Sequence, residues 1–147
     1  MTWNNRTSAT TQVNGIRMHY VRAGQPGNPP LVLLHGWPEF WYTWSKVIPA
    51  LSDVYDVIAP DLRGFGDTEK PEGAALDRYR PEDHVDDILG LIDALELQNV
   101  GIVSHDVAQV LDDLSHLNRA FDAVRCVGPC SISLVQAPRM ITPRRIH

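Results

Sequence analysis

Three short stretches of this 147-residue chain hold side chains able to do chemistry, and each follows an apolar run. His35-Gly36-Trp37-Pro38 follows Leu31-Val32-Leu33-Leu34. Asp61-Leu62-Arg63-Gly64-Phe65-Gly66-Asp67 follows Val54 to Ala59, and Ser104-His105-Asp106-Val107-Ala108 follows Val100 to Val103. The third stretch reads as strand, sharp turn and helix, because Val107, Leu111 and Leu114 continue at helical spacing. A reactive side chain at the apex of that arrangement is a nucleophile elbow. Here the apex is the carboxylate of Asp106, which would attack an alkyl carbon and form an ester. Small residues at 104 and 108 suit such a bend. The competing role for Asp106 is to cap the following helix.

The elements that must position these residues follow from periodicity. Residues 1–12 are polar and expected to fray. From Val13 to Arg22 an antiparallel pair is predicted, with Asn14-Gly15 as its turn and Ile16, Met18 and Tyr20 alternating. Leu31 to Leu34 reads as a buried central strand. Trp41, Trp44, Ile48 and Leu51 have helical spacing that Pro49 should distort. Thr68 to Arg80 is predicted to be polar loop. Pro81 suits a first helical turn. Val85, Ile88, Leu89, Ile92 and Leu95 form the clearest amphipathic stripe. Val124 to Val127 is one further candidate strand. Alternating strands and helices imply a parallel sheet, whose ligands bind at the carboxyl ends of the strands. All three chemical stretches fall at such ends, which favours the nucleophile role for Asp106.

The net charge of -5 argues against nucleic acid or an anionic membrane as partner. No apolar run approaches a membrane span, and the first residues lack an apolar signal core. A cytoplasmic address is therefore expected. Cys126 and Cys130 lie roughly 13 Å apart if extended, too far for a disulfide, and are read as free thiols. No His, Cys and acid residues show metal-ligand spacing, so neither metal nor cofactor is expected. Gly64-Phe65-Gly66 lacks the third glycine of a dinucleotide turn.

The runs from His35 to Trp44 and from Pro60 to Thr68, with the His105-Asp106 elbow, resemble the α/β-hydrolase superfamily and within it the soluble epoxide hydrolases. Asp-nucleophile dehalogenases are near relatives. The resemblance covers roughly residues 13–117. It implies a three-layer core with a mostly parallel sheet. It also implies that Asp106 is the nucleophile, and that the backbone N–H groups of Trp37 and Val107 form an oxyanion hole. Pro38 would follow a cis peptide bond. Trp37 and Phe40 would help line an apolar pocket, with His35, Gly36 and His105 beside it; His35 would be structural and His105 would point away from the pocket. The substrate would be a small apolar epoxide or a related alkyl compound.

The chain also departs from that pattern. Gln109 is bulkier than the small residue expected beyond the elbow. After Leu134 no cap with its two tyrosines, no acid and no catalytic His is recognisable. His116 would lie roughly 15 Å along the helix from Asp106, and His147 lies in the tail. His19 and His84 show no partner pattern, and Tyr55 and Tyr79 read as packing residues. The expected organisation is a flexible segment 1–12, a partial hydrolase domain 13–134 truncated after about the sixth strand, and an irregular basic tail 135–147. Two alternatives stand beside epoxide opening. One is a dehalogenase-type hydrolase. The other is a catalytically inactive relative acting as a binding or oligomerisation module, pairing through an exposed sheet edge.

Overall fold

The computed structural model describes residues 6–73, 75–104 and 132–134. Within them the strands are β1 (Arg6–Val13), β2 (Ile16–Ala23), β3 (Pro30–Leu34), β4 (Asp56–Pro60), β5 (Gly101–Ser104) and β6 (Ile132–Leu134). They form one sheet in the order β1-β2-β4-β3-β5-β6. The central pairs, β3 with β4 and β3 with β5, are parallel. The outer pairs are antiparallel, which makes the sheet mixed, with its parallel part at the centre.

The hairpin forms as its turn residues require. Asn14 and Gly15 take φ of 44° and 77°, and Val13 faces Ile16 across the turn. This positive-φ pair matches the right-handed twist of the two strands. The polar segment expected to fray is corrected by the structure. From Arg6 onward it is strand β1, paired with β2 along its whole length, from Arg6 opposite Ala23 to Val13 opposite Ile16. Ladder hydrogen bonds, rather than apolar content, hold this edge strand in place.

Both faces of the sheet carry a core. Val32, Leu34, Ile58 and Ile102 point to the face covered by helix α3 (Pro81–Ala94), where Val85, Ile88, Leu91 and Ile92 are buried. Leu31, Leu33, Val57 and Ala59 point to the other face, with Ile48 and the half-buried Trp41 and Trp44. The Trp41–Leu51 segment is not one helix. It splits into a 3-10 turn (Trp41–Trp44) and a single α-helical turn, α1 (Ile48–Leu51), whose first turn contains Pro49. Proline there lacks the N–H that would link back to the preceding turn. The loop expected from Thr68 to Arg80 contains one short helix, α2 (Ala75–Arg78). The three-layer α/β core is therefore present as expected. The candidate strand Val124 to Val127 lies outside the described residues. Among the described residues, no helix is long and apolar enough to cross a membrane.

Candidate functional site

Strand β5 lies beside β3 with Ser104 opposite Leu34. The carboxyl ends of both strands therefore finish side by side, about 4.8 Å apart. His35 and the turn after it extend from β3 at this point. The turn is closed by the Glu39 N–H donating to the Gly36 carbonyl (3.0 Å), and the Gly36 N–H donates to the Glu39 carboxylate (3.1 Å). The Trp37–Pro38 peptide is cis. Pro38 has no N–H, and among the described residues no acceptor engages the Trp37 N–H. Trp37 and Phe40 are 75% and 44% exposed, so the described residues do not enclose either one. Phe40 instead stacks on Tyr42, with ring centroids 5.9 Å apart. His105, Asp106 and Val107 lie outside the described residues.

His35 is fully buried, and its protonation state follows from its two neighbours. The Leu62 N–H donates to Nε2 (2.9 Å), so that nitrogen must accept. Nδ1 then carries the proton and donates to the Gly36 carbonyl (2.8 Å). Burial pushes the His35 pKa below the ordinary histidine range, against the opposing effect of the Gly36 bond. A proton on Nε2 would also face the Leu62 N–H. His84 is likewise lowered by burial, with Asp87 and Asp83 opposing and Arg63 and His35 reinforcing the shift. Its Nδ1 is buried without a hydrogen-bond partner among the described residues.

These shifts make stability depend on pH. A histidine whose folded pKa is depressed binds fewer protons folded than unfolded. Its stabilisation is complete above the unfolded pKa near 6.5 and is lost as pH falls towards the folded value. The unfolding free energy read from urea titrations is expected to drop from pH 7.5 to 5.5, by at most about 1.4 kcal/mol per pH unit for each group. His84→Gln should reduce that slope. A midpoint that holds or rises on acidification would contradict this.

His19 was expected to lack partners, and here the structure corrects the sequence reading. It is buried, with Nδ1 donating to Asp61 Oδ2 (2.8 Å) and Nε2 paired with Ser8 Oγ (2.7 Å). The order Ser8, His19, Asp61 is that of a serine-hydrolase triad. It nevertheless sits on β1, β2 and the end of β4. His19 on β2 is three strands from β5, roughly 14 Å across the sheet. Asp61, itself fully buried, also accepts the N–H groups of Trp41 (2.7 Å) and Asp67 (2.9 Å). His19, Asp61 and Asp67 bring ligand-type atoms within 4.8 Å, a gathering that linear spacing did not reveal. Hydrogen bonds to His19 and Asp67 already occupy Asp61 Oδ2.

Arg63 contributes a second buried charge. It forms a two-pronged pair with Asp87, Nε to Oδ2 at 2.8 Å and Nη2 to Oδ1 at 2.7 Å. Its Nη1 donates to the Arg78 carbonyl (3.1 Å), so the loop after β4 is tied to both α2 and α3. Tyr79 Oη donates to the Pro71 carbonyl and Tyr55 packs on the second core, which fits their expected packing roles. A groove of about 500 Å³ lies at the opposite end of the sheet. Its walls include Arg22 and Asp56, joined by two hydrogen bonds of 2.8 and 2.6 Å, and Pro30 and Asn99.

Residues 29–108 match the family model described as alpha/beta hydrolase fold, and residues 1–44 match the model described as epoxide hydrolase N terminus. The chain is 47% identical over 100 residues to a soluble epoxide hydrolase of Corynebacterium, covering 68% of this chain and 33% of the relative. It is 40% identical over 138 residues to epoxide hydrolase A of Mycobacterium tuberculosis, covering 93% and 41%. The crystal structure of an epoxide hydrolase from Vigna radiata superposes with a TM-score of 0.69 at 41% identity, covering 76% of this chain and 34% of that one. The chain thus spans about a third of the length of the first two curated relatives it matches, 33% and 32%. A sheet with a parallel centre, a closed turn at the end of β3 and a family match over more than half of the sequence agree, and the chain belongs to the alpha/beta hydrolase fold family, where it resembles the epoxide hydrolases.

Proposed function

We propose that this chain supplies the attacking carboxylate and the oxyanion hole of an epoxide-opening hydrolase. Asp106 attacks a carbon of a small apolar epoxide. The carbon–oxygen bond of the ring breaks, a carbon–carboxylate bond forms, and the freed oxygen takes a proton from water. Water then adds to the ester carbonyl of Asp106. The backbone N–H groups of Trp37 and Val107 receive the negative charge on the carbonyl oxygen, and the diol leaves as the carboxylate is restored.

The observation that carries this reading is the end of β5 lying beside the turn at the end of β3. Asp106 is two residues beyond Ser104, and Ser104 is opposite Leu34, one residue before His35. The Trp37 N–H, unengaged among the described residues, and the epoxide hydrolases among the relatives support it further.

The second step lacks a base among the described residues. Both ring nitrogens of His19 and of His35 are hydrogen-bonded, and burial lowers the His84 pKa and so weakens it as a base. A general base typically contributes about 10²–10⁴-fold, so the ester is expected to accumulate. Incubation with a reactive styrene-type epoxide should add one epoxide mass per chain, seen by intact-protein mass spectrometry. Peptide mapping should place it on Asp106, and Asp106→Asn should remain unmodified. A bound adduct elsewhere, or neither adduct nor diol, would overturn the catalytic reading in favour of a binding module. Diol formed over many turnovers would show that a base is present, with His147→Ala as the first variant to make. A halide-releasing alkyl substrate run in parallel separates the dehalogenase-type reaction, which leaves the same ester on Asp106.

A further inference from the structure

The geometry points to Asp61 as a positioning residue that holds the Trp37 N–H in place, a role that rests on Trp37 being an oxyanion donor as proposed above. The segment from His35 to Trp41 leaves β3 and carries the closed turn with Trp37 near its middle. Two consecutive residues at the end of β4 grip it from both sides. The Leu62 N–H donates to His35 Nε2 before the turn (2.9 Å), and Asp61 Oδ1 accepts the Trp41 N–H after it (2.7 Å). Within the grip, Gly36 and Glu39 close on one another through two further hydrogen bonds. The turn therefore has fixed ends and a fixed interior.

Asp61 is itself immobilised. Its Oδ2 accepts the Asp67 N–H and the His19 ring N–H, and its backbone carbonyl accepts the Thr68 hydroxyl (2.7 Å). Its own N–H donates to the His19 carbonyl (2.9 Å). The His19 N–H in turn donates to Thr68 Oγ1 (2.9 Å). Only an acceptor at both side-chain oxygens satisfies the side-chain part of this set, because the Trp41 N–H, the Asp67 N–H and the His19 ring N–H are all donors. An asparagine has one acceptor and one NH₂ group. It must present a donor either to the Trp41 N–H or to the His19 and Asp67 pair. A turn 1 Å out of place is enough to weaken oxyanion stabilisation, because donors must lie about 2.7–3.1 Å from the developing charge.

The test compares wild type, Asp61→Asn and Thr68→Val in the full chain. Thr68→Val removes the hydroxyl from the Asp61 backbone carbonyl but leaves all three donors on the Asp61 carboxylate, so it separates the carboxylate's hold on Trp41 from loosening of the surrounding loop. The first readout is ¹⁵N relaxation. Amide order parameters at Trp37 and Glu39 are expected to fall from rigid values near 0.85 to below about 0.6 in Asp61→Asn and to stay rigid in Thr68→Val. The second readout is cleavage of the native Asp106 adduct by hydroxylamine, which adds to the same ester carbonyl and needs no protein base. Adduct formation should change by less than about twofold, and its cleavage should slow by about tenfold or more in Asp61→Asn, within the range seen for lost oxyanion donors. Unchanged order parameters in Asp61→Asn, or equal effects in both variants, would overturn the positioning role. Failure of wild type to form an adduct would overturn the proposed function alone, because the relaxation measurement does not depend on it.

Discussion

Asp87→Ala is expected to cost about 3–5 kcal/mol of unfolding free energy, the range seen when one partner of a buried ion pair is removed. Arg63 and Asp87 are 4% and 0% exposed, and Asp87 accepts three hydrogen bonds, two from Arg63 and one from Asn14 Nδ2 (2.9 Å). Truncating the carboxylate strands a guanidinium that water cannot reach. The cost lies in that stranded charge more than in the pair itself, because burying two ions already forfeits much of their hydration. The double variant Arg63→Leu/Asp87→Leu should therefore recover a large part of the loss. Urea unfolding followed by tryptophan fluorescence measures all three proteins. A loss under about 1 kcal/mol in Asp87→Ala, or a double variant that loses as much as Asp87→Ala, would show that the pair is not the constraint argued here.

Gly66→Val should destabilise the protein by more than about 3 kcal/mol. Gly66 has a φ of +49°, and a Cβ built there would strike the Asp61 carboxylate. The left-handed conformation alone costs an L-residue roughly 1–2 kcal/mol, and more for a β-branched one. Displacing Asp61 adds the loss of hydrogen bonds to a charged group, about 1.5–3 kcal/mol each. Gly15→Val is the comparison that separates these contributions. Its φ is +77°, but a Cβ there meets nothing within 4 Å, so that variant should lose only the backbone cost. Equal losses at the two glycines, read from urea midpoints, would remove the carboxylate contact from the account.

Much of the site's framework was legible because it is local. Asn14-Gly15 permits a tight hairpin whatever surrounds it, and Pro81 followed by apolar residues at helical spacing can bury only one face. The apolar run Leu31 to Leu34 needed both faces covered, and both are. Strand β1 was not legible. It is polar at most positions, so the inward alternation of Ala9, Thr11 and Val13 is not written as an apolar pattern; its order comes largely from the backbone of β2. The Trp41–Leu51 segment kept its apolar spacing while losing its continuous helix, since side-chain spacing does not register the missing Pro49 N–H.

The partners of charged residues were the least visible. His19 and Asp61 lie 42 positions apart and Arg63 and Asp87 lie 24 apart, so no window along the chain contains either pair. Asp61 could have been singled out from the glycines that follow it, because Gly64 and Gly66 mark a backbone that must pass close to something. That signal points to a tight loop but not to the carboxylate inside it.

By itself, the sequence determined the element types around the site, the strand-end location of its chemical stretches and the family resemblance, because these depend on periodicity, turn chemistry and short motifs. Tertiary structure alone decided that β1 is a strand, that His35 is a neutral hydrogen-bond bridge, and that Asp61 clamps the turn carrying Trp37. Those outcomes depend on which distant donors and acceptors meet inside the fold. A buried polar group is satisfied by whatever the packing brings to it, and its neighbours in the chain do not reveal that partner.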